Sequence, residues 1–369
     1  MSLMPADWIS GTFLGRADFG EGPSPILVVR GELIDMSAVV PTVSALVEAG
    51  DFSGQGGARL GAFDAEQVNL LSPVDLQCVK ACGVTFATSA IERVIEERAR
   101  GDWSAAAAIR ERLEARIGGQ IRSVVPGSES AAQLKAALIE DGLWSQYLEV
   151  AIGPDAEVFT KSPVLSTMGA GAEIGVRSDS SWNNPEPEIA LLVGSDGKAV
   201  GATLGNDVNL RDFEGRSALL LGKAKDNNAS CSLGPLVRIF DESFTIDDVR
   251  AAEVRLSITG EEDGFVLNGT SNMAEISRDP LDLVRQTLSE HQYPDGFVLF
   301  LGTLFAPVQD RDEEGRGFTH KVGDTVTIES DKLGQLRNRV VTSRDAAPWR
   351  SGISALYANL LSRGLLKAS

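Results

Sequence analysis

Apolar and polar positions divide this chain into three stretches of different period. In the first, Thr12 to Arg16 and Ile26 to Arg30 read as short strands on either side of the turn-rich Asp18-Phe19-Gly20-Glu21-Gly22-Pro23. A short helix begins within Val40 to Leu46, and the Gly-rich run from Gly54 to Gly61 reads as a flexible connection. The second stretch is helical. Ser89 to Ile117 contains no Pro, is rich in Ala, Glu and Arg, and is interrupted only by Gly101, which predicts two helices or one kinked helix. Ser130 to Leu138 fits a further helix. From Val158 onward, short β-branched runs alternate with Gly, Asn, Asp and Pro turns: Ile189 to Val193, Leu236 to Phe240, Val254 to Ile258, Val298 to Leu301 and Thr325 to Ile328. A helix over Asp279 to Glu290 lies among them. This order predicts an α+β fold rather than a regular βαβ array, with a small N-terminal domain at residues 1–75 and a mixed, β-rich domain at residues 76–369.

Composition narrows the function. A chain of 369 residues with 43% hydrophobic and 23% charged side chains is ordinary for a folded protein with a sizeable core. No apolar run approaches the ~20 residues that span a bilayer. Met1 to Ser10 lacks a basic region followed by an apolar core, so the cytoplasm is the expected location. Cys78, Cys82 and Cys231 form no CxxC pair and read as reduced, buried thiols, with Cys78 and Cys82 spaced to share a helix face. The net charge of −18 disfavours nucleic acid and anionic membrane surfaces as partners. A small anionic substrate therefore needs local positive charge from a metal, Lys or Arg.

The acids offer that metal. Only His291 and His320 are present, and no GxSxG elbow occurs, so a histidine-rich metal site or an elbow-type serine triad is disfavoured. Asn184-Pro185-Glu186-Pro187-Glu188 leads directly into the apolar run Ile189 to Val193. Residues two apart on a strand share a face, so Glu186 and Glu188 project together and repel unless a cation or proton lies between them. Oxygen ligands suit Mg²⁺, Mn²⁺ or Ca²⁺. A solvated acidic turn is the competing reading. In Gly205-Asn206-Asp207-Val208-Asn209-Leu210-Arg211-Asp212, Asp207 supplies a candidate third oxygen, while Arg211 and Asp212 also fit an ordinary surface pair. Lys223 follows the apolar run Leu219 to Leu221, read as a strand, and is a candidate for proton transfer or for a surface role.

The ordered set PEPE, GNDVNLRD, GKAKD, Gly234-Pro235, Leu267-Asn268-Gly269 and Leu301-Gly302-Thr303 resembles the fumarylacetoacetate hydrolase superfamily over roughly residues 157 to 340. The resemblance implies that superfamily's fold, Mg²⁺ (Mn²⁺ as the alternative) on Glu186, Glu188 and Asp207, and an active site containing Lys223 and Thr303. It implies a homodimer or homotetramer as well. Hydrolytic members carry N-Y-x-x-H-x-x-E, with His and Glu activating water. Here the histidine position is Ser89, followed by Glu92, which puts hydrolysis in doubt and fits a helix capping box instead. Ser89 at a helix end would also be placed to meet an anionic substrate. Cys82 to Phe86, Ala156 to Lys161 and the opening Gly15 to Pro23 are similar to the sugar-acid dehydratase branch. That branch implies a metal-dependent hydro-lyase taking a 2-keto-3-deoxy-pentonate of the xylonate or arabinonate series to 2,5-dioxopentanoate, in oxidative pentose breakdown. Glu157 and Lys223 are then the acid/base candidates, with Ser89, Lys161, Arg211 and Thr303 around the substrate. An acylpyruvate hydrolase, an oxaloacetate decarboxylase and a non-catalytic sugar-acid binder remain as alternatives.

Overall fold

A computed structural model describes residues 3–100, 102–106, 109, 121, 124–305, 307–314 and 317–366. Its centre is a ten-stranded mixed sheet in the order Ala58–Ala62, Glu32–Asp35, Pro23–Val29, Thr12–Asp18, Cys231–Ile239, Ala199–Asp207, Pro187–Val193, Phe297–Phe300, Cys78–Gly83 and Glu157–Ser162. Strands from the first 62 residues thus continue the same sheet as strands from the β-rich half. Two N-terminal strands match their expected positions. The Gly-rich connection is more ordered than its composition implies, because Ala58–Ala62 pairs with Glu32–Asp35 as an edge strand.

The strand Pro187–Val193 shows why the sheet holds. It lies between Ala199–Asp207 and Phe297–Phe300, antiparallel to both. Ile189, Leu191 and Val193 enter one core cluster, while Ala190 and Leu192 enter another on the opposite face. All seven of its residues are buried, which is why it reads as a continuous apolar run rather than an alternating one. Each large aliphatic side chain so buried contributes roughly 1.5–3 kcal/mol. A second sheet has the order Val266–Asn272, Glu253–Thr259, Thr325–Ser330, Gly334–Thr342 and Glu173–Val176 and shares the first of those cores.

Several local expectations change. The helix predicted from Ser89 begins at Ala87 and is described to Ala99, with Arg100 left-handed at its end; most of the predicted continuation to Ile117, including Gly101, lies outside the described residues. Ser89 is therefore the third residue of the helix and not its cap, and its hydroxyl donates to Phe86 O at 2.8 Å. Leu219 to Leu221 is not a strand. Ala218–Leu220 is a 3₁₀ turn leading into the short helix Leu221–Lys225, and Leu219 is 95% exposed. Cys78 and Cys82 share the strand Cys78–Gly83 rather than a helix. All three cysteines are free thiols, and burial pushes Cys231 up to about 12.

Candidate metal centre

Strand register assembles the carboxylates. In the ladder between Pro187–Val193 and Ala199–Asp207, Glu188 lies opposite Gly205 and Pro187 opposite Asn206. Continuing that register sets Asp207 beside Glu186, and Asp207 N donates to Glu186 O at 3.1 Å. Period two then gives Glu186, Glu188 and Asp207 a common face. One oxygen from each lies within 4.8 Å of the others, and all three side chains are buried. On the opposite edge, the chain leaving Phe297–Phe300 turns at Gly302, whose φ is +106°. Its N–H donates to Glu188 Oε2 at 2.7 Å, and Thr303 Oγ1 donates to Glu188 Oε1 at 3.1 Å. A Cβ at Gly302 would lie 1.9 Å from Thr85 Oγ1, so only glycine supports this turn.

Three cations pair with the trio, and a fourth, Arg211, pairs with the acids behind it. Lys225 Nζ pairs with Glu186 Oε2 and lies 3.2 Å from Asp207 Oδ2. Lys161 Nζ lies 2.8 Å from Asp207 Oδ1, and Arg93 Nη2 lies 2.5 Å from Glu186 Oε1. Arg93 also pairs with Glu96 and Glu214, and Arg211 with Glu96 and Glu92. Among the described residues, six buried carboxylates, Glu92, Glu96, Glu186, Glu188, Asp207 and Glu214, thus face four buried cations, Arg93, Lys161, Arg211 and Lys225. The excess of two negative charges is what a divalent cation balances, and the all-oxygen donor set suits a hard ion such as Mg²⁺. The trio therefore fits a bound divalent metal. Without one, the excess falls on protons. Burial, with Asp207 and Glu186 adding to it, pushes Glu188 well above the usual carboxylate range, and burial pushes Glu214 up to about 7. Burial acts on Glu186 in the same direction, but Lys225 and Arg93 outweigh it and hold that carboxyl down at about 2.

The other predicted residues separate. Glu157 opens the strand Glu157–Ser162, opposite Gly83. A Cβ at Gly83 would sit 1.9 Å from Glu157 Oε2, so the glycine makes the space that the carboxylate occupies. Glu157 is half-buried and has no hydrogen-bonded partner among the described residues. Burial raises its pKa, partly offset by Arg93 and Lys225. Lys223 is the main correction. It is exposed and its Nζ lies 5.9 Å from the Phe213 ring centroid, away from the carboxylates. On a helix, residues 223 and 225 are ~200° apart around the axis, so only one of them faces the core beside Ala224, and that one is Lys225. The GKAKD motif held the signal; reading its approach as a strand hid which lysine turns inward. Lys161, expected against substrate, is fully buried and holds the Val208 and Lys225 carbonyls. Arg211 is likewise buried, donating to Asn184 Oδ1 and Pro307 O over the Trp182 ring. Both therefore brace the cage. Asp212 does not pair with Arg211 but accepts from Ser180 and Ser181. Arg93, Glu96 and Glu214 carried no motif, because their role depends on how the helices Ala87–Ala99 and Arg211–Glu214 face each other.

Comparison with known proteins identifies the family and the fold. A family model for the C-terminal domain of fumarylacetoacetate (FAA) hydrolase matches residues 142–341. The chain is 35% identical over 205 residues to a probable 2-keto-3-deoxyxylonate dehydratase of Haloferax volcanii, covering 55% of this chain and 66% of that one. It is 33% identical over 155 residues to 2-dehydro-3-deoxy-D-arabinonate dehydratase of Saccharolobus solfataricus, covering 42% and 51%. The matches thus span less than two thirds of either relative's length. A solved structure, 2-keto-3-deoxy-D-arabinonate dehydratase complexed with magnesium and 2,5-dioxopentanoate, superposes with a TM-score of 0.62 at 20% identity over 90% of this chain and 99% of that one, which shows a shared fold. With more than half of its length matched to the family model, the chain belongs to the fumarylacetoacetate hydrolase family.

Proposed function

We propose that this protein is a metal-dependent dehydratase that converts a 2-keto-3-deoxy-D-pentonate of the xylonate or arabinonate series to 2,5-dioxopentanoate, with Mg²⁺ on Glu186, Glu188 and Asp207. The observation that carries this reading is the all-oxygen, cation-deficient cage with, among its electrostatic neighbours, the Glu157 carboxylate, which has no hydrogen-bonded partner among the described residues. The names of the curated relatives and the magnesium and 2,5-dioxopentanoate in the structural neighbour point the same way.

A divalent cation held by Glu186, Glu188 and Asp207 would supply Lewis-acid polarisation of the 2-oxo group and positive charge for the adjoining carboxylate. The chain's own groups do the rest. Glu157, with its raised pKa, takes a proton from C3, which the neighbouring ketone acidifies. The electron pair left at C3 forms the C3–C4 double bond as the C4–O bond breaks. The same carboxyl, now protonated, returns its proton to the departing hydroxyl, which leaves as water. Transfer of a proton from C5 to C3 then gives the C4–C5 enol, and passage of its hydroxyl proton to C4 gives the aldehyde. Lys225 stays charged, because Asp207 and Glu186 outweigh the effect of its burial, and it fixes two of the three metal ligands. Ser89 occupies the position where hydrolytic members have histidine, so no imidazole base for water stands on that helix.

Incubation with 2-keto-3-deoxy-D-xylonate, with and without EDTA, tests the reading. Release of 2,5-dioxopentanoate, lost with EDTA and restored by Mg²⁺, is expected. Pyruvate release from acylpyruvates or oxaloacetate, without dehydration, would assign the site to the hydrolase or decarboxylase alternative.

A further inference from the structure

A cavity of about 630 Å³ lies between the strand Thr12–Asp18, the segment from Ala65 to Ser72, the loop from Leu165 to Ala172 and the C-terminal segment from Ala347 to Ser351. None of its lining residues belongs to the carboxylate cage. Its size is in the range of small-molecule sites.

Arg16 lines this cavity although only 7% of the residue is exposed. One guanidinium nitrogen donates to Val74 O. Among the described residues no carboxylate lies within ion-pair distance of it. Asp75 is its electrostatic neighbour, but that carboxylate is occupied by the amides of Val43, Ser44 and Leu76. Burial accordingly pushes Arg16 below the usual arginine range. A buried charge without a counter-ion is costly, and a ligand anion removes that cost. The acid on the wall, Asp18, accepts from the amides of Gly20 and Gly22. Beside Arg16, the Ser72 and Thr167 hydroxyl oxygens lie 2.6 Å apart. The loop backbone is pressed onto the wall: a Cβ at Gly169 would lie 2.6 Å from the Leu71 carbonyl carbon, whereas one at Gly171 would meet open space. Leu70, Leu165, Met168 and the half-exposed Trp349 supply an apolar surface. Arg16 is the buried cation of this wall and Arg350 an exposed one, and the chain's net charge of −18 disfavours polyanions.

We propose that this cavity is a second ligand site, for a small organic monoanion whose acid group pairs with Arg16 and whose apolar body lies along Leu70, Leu165, Met168 and Trp349. The site is separate from the metal cage and does not depend on the reaction assigned to it.

Titration of the full-length protein with 1-anilinonaphthalene-8-sulfonate, a monoanion with an aromatic body, tests this, with benzoate as competitor. One saturable component that benzoate displaces is expected. Arg16→Met weakens it about tenfold or more, as loss of a charge-assisted hydrogen bond implies, while Arg16→Lys keeps most of it. Trp349→Phe reduces the tryptophan-sensitised emission. Should Arg16→Met fail to fold, Ala172→Leu, which narrows the cavity, must weaken binding. No saturable binding, equal binding by Arg16→Met or by Ala172→Leu, or displacement by Mg²⁺ with a 2-oxo acid would overturn the proposal.

Discussion

Lys225 and Lys223 differ by two positions and, in this fold, by everything else, which makes them a sharp test. Lys225 is 3% exposed at its side chain and bridges Glu186 and Asp207. Lys223 is exposed. Removing one partner of a buried ion pair costs about 3–5 kcal/mol, because the other charge is left without compensation. Glu186 retains Arg93 and Asp207 retains Lys161, so Lys225→Met is expected at the low end, about 3 kcal/mol. Lys223→Met is expected within about 0.5 kcal/mol of the parent, as for other surface changes. Urea unfolding in EDTA measures both. Repeating it with Mg²⁺ should narrow the gap, since a bound cation contributes RT ln(1 + [L]/Kd), and the variant cage carries one more uncompensated negative charge to attract it. Equal losses in the two variants, or a gap that widens with Mg²⁺, would refute the cage electrostatics.

Glu157→Gln should abolish turnover of 2-keto-3-deoxy-D-xylonate while calorimetry shows metal affinity within a few-fold of the parent; a variant that keeps its turnover removes Glu157 from the proton path. Gly302→Ala combines a left-handed backbone with a 1.9 Å approach to Thr85, so it should destabilise by roughly 2–5 kcal/mol in the same unfolding assay, and a loss below about 1 kcal/mol would show that the turn is less constrained than described. Asp207→Asn should lower Mg²⁺ affinity in direct titration, and unchanged affinity would exclude Asp207 as a ligand. His320 is buried, its Nδ1 is 3.2 Å from Asp324 Oδ2, and burial lowers its pKa against the opposing pull of Asp324. With the folded value below the unfolded one, its contribution is present above pH about 6.5 and lost as pH falls toward the folded value. His320→Gln should therefore flatten the loss of stability just below pH 6.5, and an unchanged slope would assign that loss to other groups.

What the sequence determined by itself rests on short-range periodicity. Glu186 and Glu188 share a face because a strand alternates every residue, and the apolar run from Ile189 to Val193 announced that strand. The helix Pro280–Leu288, capped by Asp279, was equally legible from its flanking residues. The order of PEPE, GNDVNLRD and GKAKD was enough to mark the family. Tertiary structure decided the rest. Asp207 meets Glu186 through inter-strand register, which sequence spacing does not encode. Lys225 replaces Lys223 because the residues before it pack as a helix, although three consecutive leucines suit a strand equally well. Lys161 and Arg211 brace the cage from behind rather than facing a ligand, since the sheet and Trp182 cover them completely. Arg93, Glu96 and Glu214 complete the charge balance from two helices distant in sequence, Ala87–Ala99 and Arg211–Glu214. Their net effect, two negative charges in excess within a low-dielectric interior, exists only once the chain has folded and water has been excluded.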